Sequence, residues 1–199
     1  PMDIDSIPQV FTVFRKKCEK YSTIKSCIPE PGILDKKSLL TASFTVPTLE
    51  ELGFASFDTS THAAFPFLGG TSSALNRITD YFWKSERLSF YKQTRNGLLG
   101  TDYSSKFSPW LANGSLSARM IYWEVQRYEK EIQKNESTYW LIFELIWRDY
   151  FKYISLKHGN AIFHLGGILD KKYTWDSNSE IFLKWTEGKT TEPFVNANM

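Results

Sequence analysis

Residues 138–157 read TYWLIFELIWRDYFKYISLK. Within this run Trp140, Leu141, Phe143, Leu145, Ile146, Trp147, Tyr150, Phe151 and Ile154 cover nearly the whole circumference of a helix instead of one stripe. A helix that is apolar all round has to be surrounded, so the fold is expected to be built about it. No stretch alternates apolar and polar residues convincingly, and no internal repeat is visible. The fold class is therefore mainly α.

Toward the N-terminus, Ser117 predicts the cap of a helix whose Ile121, Val125, Tyr128 and Ile132 form one apolar stripe. The opposite face, Glu124, Arg127, Glu129, Lys130 and Glu131, reads as solvated. Ser108-Pro109 reads as a cap followed by proline at the first helical position, opening a short helix that ends near Asn113-Gly114. Thr94 to Lys106 is rich in turn residues and reads as a loop. Gly69-Gly70 precedes Thr71-Ser72-Ser73, which are cap candidates for a helix carrying Leu75, Ile78 and Phe82. Residues 1–64 show one short helical stretch, around Val10 to Lys20, among Pro29, Pro31, Gly32 and Pro47. They read as a connector laid over a surface. Beyond the central helix come Gly166-Gly167, a short stretch from Glu180 to Thr186, and Gly188-Lys189-Thr190. The chain opens on Pro1 and stops at Met199 within an apolar run, which predicts a segment of a longer protein.

At 42% hydrophobic and 23% charged residues, the 199-residue chain has the composition of a soluble globular protein. Its formal net charge of +2 is too small to imply a polyanion partner unless the charge is clustered. Aromatics reach 16%, with 7 Trp, 10 Tyr and 15 Phe; they build large cores, and they also stack on bases and planar cofactors. Cys18 and Cys27 have no ligand-type neighbours in sequence and read as free thiols. No apolar run approaches the ~18 residues of a membrane span. The reading is an intracellular protein in a reducing compartment, cytoplasmic, or organellar in a eukaryote. Asn113-Gly114-Ser115 and Asn135-Glu136-Ser137 match the glycosylation sequon, a pattern common by chance.

Two constellations carry chemistry. Glu144 and Arg148 lie four apart on one face of the central helix, beside Trp147. Charges among Trp and Ile must be paired or put to use. One reading is a structural ion pair at the favourable i, i+4 spacing. The other is a cleft in which Glu144 meets the edge of a heterocycle and Trp147 offers a stacking face. The loop Tyr103-Ser104-Ser105-Lys106-Phe107-Ser108-Pro109 combines hydroxyls, an ammonium and main-chain N–H groups at a helix start, the ingredients of an anion site or of an ordinary capped turn. Gly188-Lys189-Thr190 resembles the tail of a P-loop, but Leu183 stands where the first glycine belongs. His62, His158 and His164 lack metal-ligand spacing, so no metal site is expected.

Tyr91-Lys92-Gln93-Thr94-Arg95-Asn96-Gly97, Asp102 through Ala112, Ser137 through Phe151 and Pro193 through Met199, taken in that order, resemble the DASH-type cryptochromes of the photolyase superfamily. The resemblance implies the front half of a helical FAD-binding domain over 65–199, incomplete at Met199. Residues 1–64 would be the connector from an N-terminal α/β antenna domain whose chromophore is methenyltetrahydrofolate. It implies FAD contacts from Tyr91, Ser104, Ser105, Lys106, Phe107, Ser108, Leu141 and Arg148. Glu144 and Trp147 match residues that face a cyclobutane pyrimidine dimer, with Arg95, Arg148 and Phe151 as further DNA contacts. Trp175 matches the outermost tryptophan of a photoreduction chain. The implied activity is blue-light-driven repair of such dimers, preferentially in single-stranded and secondarily in duplex DNA, by a monomer. The alternatives are a photoreceptor that binds DNA with little repair, and a flavin-free nucleic-acid binder. The family's acidic pair, an asparagine and two inner tryptophans are expected beyond Met199. The chain departs from the family at Thr191, commonly glycine, and at Asn196, commonly aspartate.

Overall fold

The computed structural model describes residues 3–29, 32, 45–55 and 63–199. Among them there is no strand, in agreement with the helical reading; His62 lies outside the described residues. The chain divides into two compact units, Pro1–Lys152 and Tyr153–Met199.

Among the helices that begin in the first unit, α1 is Phe11–Tyr21, α2 is Thr71–Ile78, α3 is Tyr91–Thr94, α4 is Ser108–Asn113, α5 is Ala118–Glu131 and α6 is Glu136–His158, whose last residues belong to the second. α2 starts on Gly70, whose φ of 89° is open to glycine, so the hydroxyls of 71–73 do not cap it. It passes into a π-helical turn, Thr79–Lys84, closed by Ser85 N–H to Asp80 O at 2.9 Å. The wider turn lets the adjacent rings Tyr81 and Phe82 both be fully buried. The buried face is thus Ala74, Arg77, Ile78, Tyr81 and Phe82, whereas Leu75 is exposed.

α5 follows its predicted stripe: Ile121, Val125 and Tyr128 are fully buried, and Ser117 accepts Met120 N–H at 3.0 Å. Ile132, at the helix end, is exposed. The face expected to be solvated is partly structural. Glu124 accepts Trp83 Nε1–H at 3.1 Å, and the buried Glu129 side chain accepts Thr138 Oγ1–H at 2.6 Å. The second bond ties the end of α5 to the start of α6.

α6 is capped by Asn135, whose Oδ1 accepts the N–H groups of Ser137 and Thr138 at 2.8 and 3.1 Å. Asn135 Nδ2 donates to Ser89 O, and Ser137 Oγ accepts Lys92 N–H and donates to Gln93 Oε1. These bonds bind the first turn of α6 to the segment that enters α3. Leu141 and Leu145 join Ile78, Phe82, Leu88, Trp110, Ile121 and Tyr128 in one apolar core. α1 is more than a connector helix, since it buries Phe11 and Phe14 and meets α6 through Phe14–Tyr150 and Phe11–Tyr150 ring contacts at 5.4 and 5.6 Å.

The second unit holds short 3₁₀ turns at Gly159–Phe163 and Gly167–Leu169, α7 at Ser179–Thr186, and α8 at Pro193–Asn196. Asn178 caps α7 by accepting from Glu180 and Ile181 N–H. Gly188-Lys189-Thr190 is a turn onto α8: Thr190 N–H and Oγ1–H reach Asn196 Oδ1 at 2.8 and 2.7 Å, and Asn196 Nδ2 donates to Thr190 O. That last bond needs the amide, since a carboxylate has no proton to donate.

Candidate functional site

Arg77 organises the anion-type loop. Its guanidinium lies between the Phe67 and Tyr81 rings, each centroid 4.8 Å from Cζ, and the residue is only 5% exposed. From there Nε donates to Ser105 O (3.1 Å), one terminal nitrogen to Thr101 O and Ser104 O (3.0 Å each), and the other to Asp102 Oδ1 (2.9 Å). The hydrogen bond and charge of Arg77 hold the Asp102 carboxyl below its usual range. Gly97 is needed where the loop folds back, because a Cβ there would stand 2.8 Å from Tyr103 Cβ.

Within the loop, Ser105 and Phe107 are buried, Ser104 and Lys106 half-buried, and Ser108 exposed. Lys106 takes a φ of 61°, in the left-handed region, and its ammonium bonds the Tyr103 hydroxyl and sits 3.8 Å from that ring's centroid. α4 starts differently from the expectation. Phe107 is its N-cap, no side chain caps it, and Ser108 is its first residue. With six residues, α4 adds little dipole, so the donors of this site belong to the loop. On the loop's flank an open cavity of about 490 Å³ is lined by Arg87, Thr94, Leu99, Thr101, Asp102 and Tyr103.

The second cluster joins α3 to α6. Arg95 forms an ion pair with Glu144, both about a third exposed, and the Arg95 guanidinium lies 5.9 Å from the Trp140 ring centroid. This replaces the Glu144–Arg148 pair that the helical spacing suggested. Arg148 pairs instead with its neighbour Asp149 at 3.2 Å, on an exposed part of the helix. The reason is the docking of α3 on the first turns of α6, which delivers a cation from another element to Glu144. Tyr91 is buried; burial pushes its phenol up, the Glu144 charge adds to this, and a hydrogen bond with Arg95 opposes it. Leu141 is buried in the core.

Trp147 is half-buried and already has an aromatic partner. Phe11 of α1 lies parallel to it, with centroids 3.4 Å apart and planes 9° from parallel. Phe151, 60% exposed, is nearly parallel at 5.4 Å. One face of Trp147 is thus taken by the chain itself. Trp175, in the second unit, is exposed beside Tyr173 at 5.8 Å. No group of His, Cys, Asp and Glu among the described residues could hold a metal ion.

Arg77 and Phe11 are the two residues that the sequence reading missed. Arg77 falls between Ala74 and Ile78 on the buried face of α2, a charge at a core position, and that was the available signal. Phe11 carries none, because nothing in its local sequence points to α6.

No family model matches the chain. A rice (Oryza sativa subsp. japonica) protein named cryptochrome DASH, chloroplastic/mitochondrial, is 48% identical over all of this chain and 35% of its own length. The Synechocystis cryptochrome DASH is 46% identical over all of this chain and 40% of its own, and that of Danio rerio 43% over 98% and 38%. The crystal structure of a Synechocystis cryptochrome superposes with a TM-score of 0.89 at 45% identity, covering 100% of this chain and 41% of that one. Over its whole length the chain is similar in sequence to proteins named cryptochrome DASH, and in fold to a solved cryptochrome. It spans 35–41% of the length of these relatives. Among the described residues no helix is long and apolar enough to cross a membrane.

Proposed function

We propose that the protein to which these residues belong binds FAD and repairs cyclobutane pyrimidine dimers under blue light, preferentially in single-stranded DNA. The chemistry of the 104–108 loop fits the flavin's phosphates and ribityl chain: Ser104 and Ser108 reach solvent, the Lys106 ammonium is adjacent, and the N–H groups of Ser105 and Lys106 find no main-chain acceptor among the described residues. Bound FAD, when reduced and excited, supplies the electron that splits the dimer. This chain's residues bind and orient. Ser104 to Ser108 hold the anionic part, while Tyr91, Leu141 and Arg148 border the cofactor.

Glu144 carries the reading. Arg95 fixes it in place, yet a carboxylate has about four lone-pair sites and one cation leaves room for a base N–H. Trp147 and Phe151 stack on the extruded bases, and Arg95 and Arg148 face the strand. Extrusion costs least when the strand is already single. Trp175 is the outer member of an electron path. Residues 1–64 serve as the connector from an antenna domain holding methenyltetrahydrofolate, residues 65–199 as the front of the flavin domain, and the whole acts as a monomer in the cytoplasm or an organelle.

The alternative, a blue-light photoreceptor that binds DNA with little repair, is favoured by one observation: Phe11 occupies a face of Trp147 that a base would otherwise use. Light-dependent loss of dimers from single-stranded oligonucleotides, measured with a protein of the relatives' full length, is the expected result. A photoreducible flavin with no dimer loss would overturn the repair reading in favour of the photoreceptor, and a colourless folded protein would overturn both.

A further inference from the structure

We infer that Arg77 is the positioning residue of the 104–108 cradle, turning the loop's carbonyls inward so that its main-chain N–H groups face the bound pyrophosphate. The inference rests on the flavin reading above and adds the device that presents the donors.

A trans peptide places its C=O and N–H on opposite sides of one plane. Arg77 draws the carbonyls of Thr101, Ser104 and Ser105 toward one guanidinium. The N–H groups of the same three peptides, on Asp102, Ser105 and Lys106, are thereby aimed away from it. Lys106 then takes its left-handed φ of 61°, and Phe107 returns to the right-handed region at φ −77°, ψ −14°. Successive residues of opposite hand gather their N–H groups into a concave nest, the main-chain geometry that holds phosphate oxygens.

Lysine lacks that fork. The guanidinium presents five donors in a fixed plane, and four contacts to Thr101, Asp102, Ser104 and Ser105 use it. An ammonium on a flexible stem could satisfy one or two of them. The Phe67 and Tyr81 rings, each with its centroid 4.8 Å from Cζ, pack against the fork. Asp102, half exposed, anchors the fork's outer edge.

The test uses a protein of the relatives' full length, with R77K and D102N compared against it for affinity toward FAD and toward riboflavin, which lacks the phosphates. R77K is expected to weaken FAD by tenfold or more, the scale of one lost charged hydrogen bond, and to leave riboflavin within about twofold. D102N, at a half-exposed side chain, is expected to keep the fold and to show the same pattern at a smaller factor, so it decides the matter if R77K does not fold. Equal losses for both ligands, or no loss for either, would overturn the inference. Trypsin cleavage after Lys106 in flavin-free protein gives an independent reading, faster in R77K if the loop is released and unchanged if Arg77 does not hold it. A parent protein that binds neither flavin sinks the flavin reading and leaves cleavage to decide on Arg77.

Discussion

Four hydrogen bonds that fix residues 101–105 come from one guanidinium, whereas the α6 wall from Glu144 to Phe151 is held by several residues from different elements. Phe11 covers Trp147, Arg95 holds Glu144, and the Tyr150 hydroxyl donates to Gln9 O. Residues 101–105 contribute no side chain to the apolar core, so their shape depends on polar bonds to a buried charge. The wall's main-chain hydrogen bonds run within one helix, so each neighbour acts chiefly on the side chain it touches. A single substitution should therefore damage the loop as a unit and the wall piece by piece.

The largest effect is expected from Arg77→Met. It strands three carbonyls and leaves Asp102 without its partner, and the global stability should fall by about 4 kcal/mol, from several charge-assisted bonds worth about 1.5–3 kcal/mol each less what water restores. Urea denaturation of the full-length protein reads this directly. A loss below about 1 kcal/mol would mean that the loop holds itself.

On the wall, Trp147→Ala should weaken binding of a dimer-containing single strand by about 1–3 kcal/mol, roughly five- to 150-fold, the scale of one base–aromatic stack. Fluorescence anisotropy with a labelled oligonucleotide measures it. Unchanged affinity would show that Phe11 leaves no usable face. The Phe11–Trp147 contact itself is expected to couple the two residues by about 1 kcal/mol in a double-mutant cycle on stability, since near-parallel rings add that much beyond burial.

Sequence and structure part company along the same line. The α5 stripe and the length of α6 are legible because helical periodicity and caps such as Ser117 are local signals. Tyr91, Arg95, Glu144 and Trp147 are recognisable one by one for the same reason. Their pairings are not. Glu144 finds Arg95 across 49 positions instead of Arg148 across four, because α3 docks on α6 through Ser137 and Asn135, and that docking has no local signature. The solvated face of α5 was misread at Glu124 and Glu129 by the same mechanism, their partners Trp83 and Thr138 being supplied by other elements. Arg77 shows the remaining gap: a charge at a core position announces that it has partners without naming them.

A smaller effect sharpens the loop side by pH. The Asp102 carboxyl is held down by Arg77, so its contribution is present above the ordinary carboxylate value of about 4 and is lost as pH falls through the lower folded value. Urea midpoints of the parent and D102N should differ at pH 6 and converge below about pH 4. A constant difference across that range would mean that the carboxylate charge plays no part in the clamp.

The smallest effect belongs to Arg148 on the wall. Its pair with Asp149 joins adjacent residues that are both about half exposed, at 3.2 Å, so water competes for both charges. Such pairs contribute little, and Arg148→Ala should change stability by less than about 0.5 kcal/mol. Asp149 itself has its carboxyl raised by burial, opposed by Arg148 and Lys152, so removing Arg148 should raise it further rather than unfold the helix. Binding is where Arg148 should count. If it faces the nucleic-acid strand, R148A loses affinity for single-stranded DNA and flattens its salt dependence by about one phosphate contact, while the urea midpoint stays put. A variant that loses stability and keeps its salt slope would put Arg148 with Arg77, among the charges that hold the protein together.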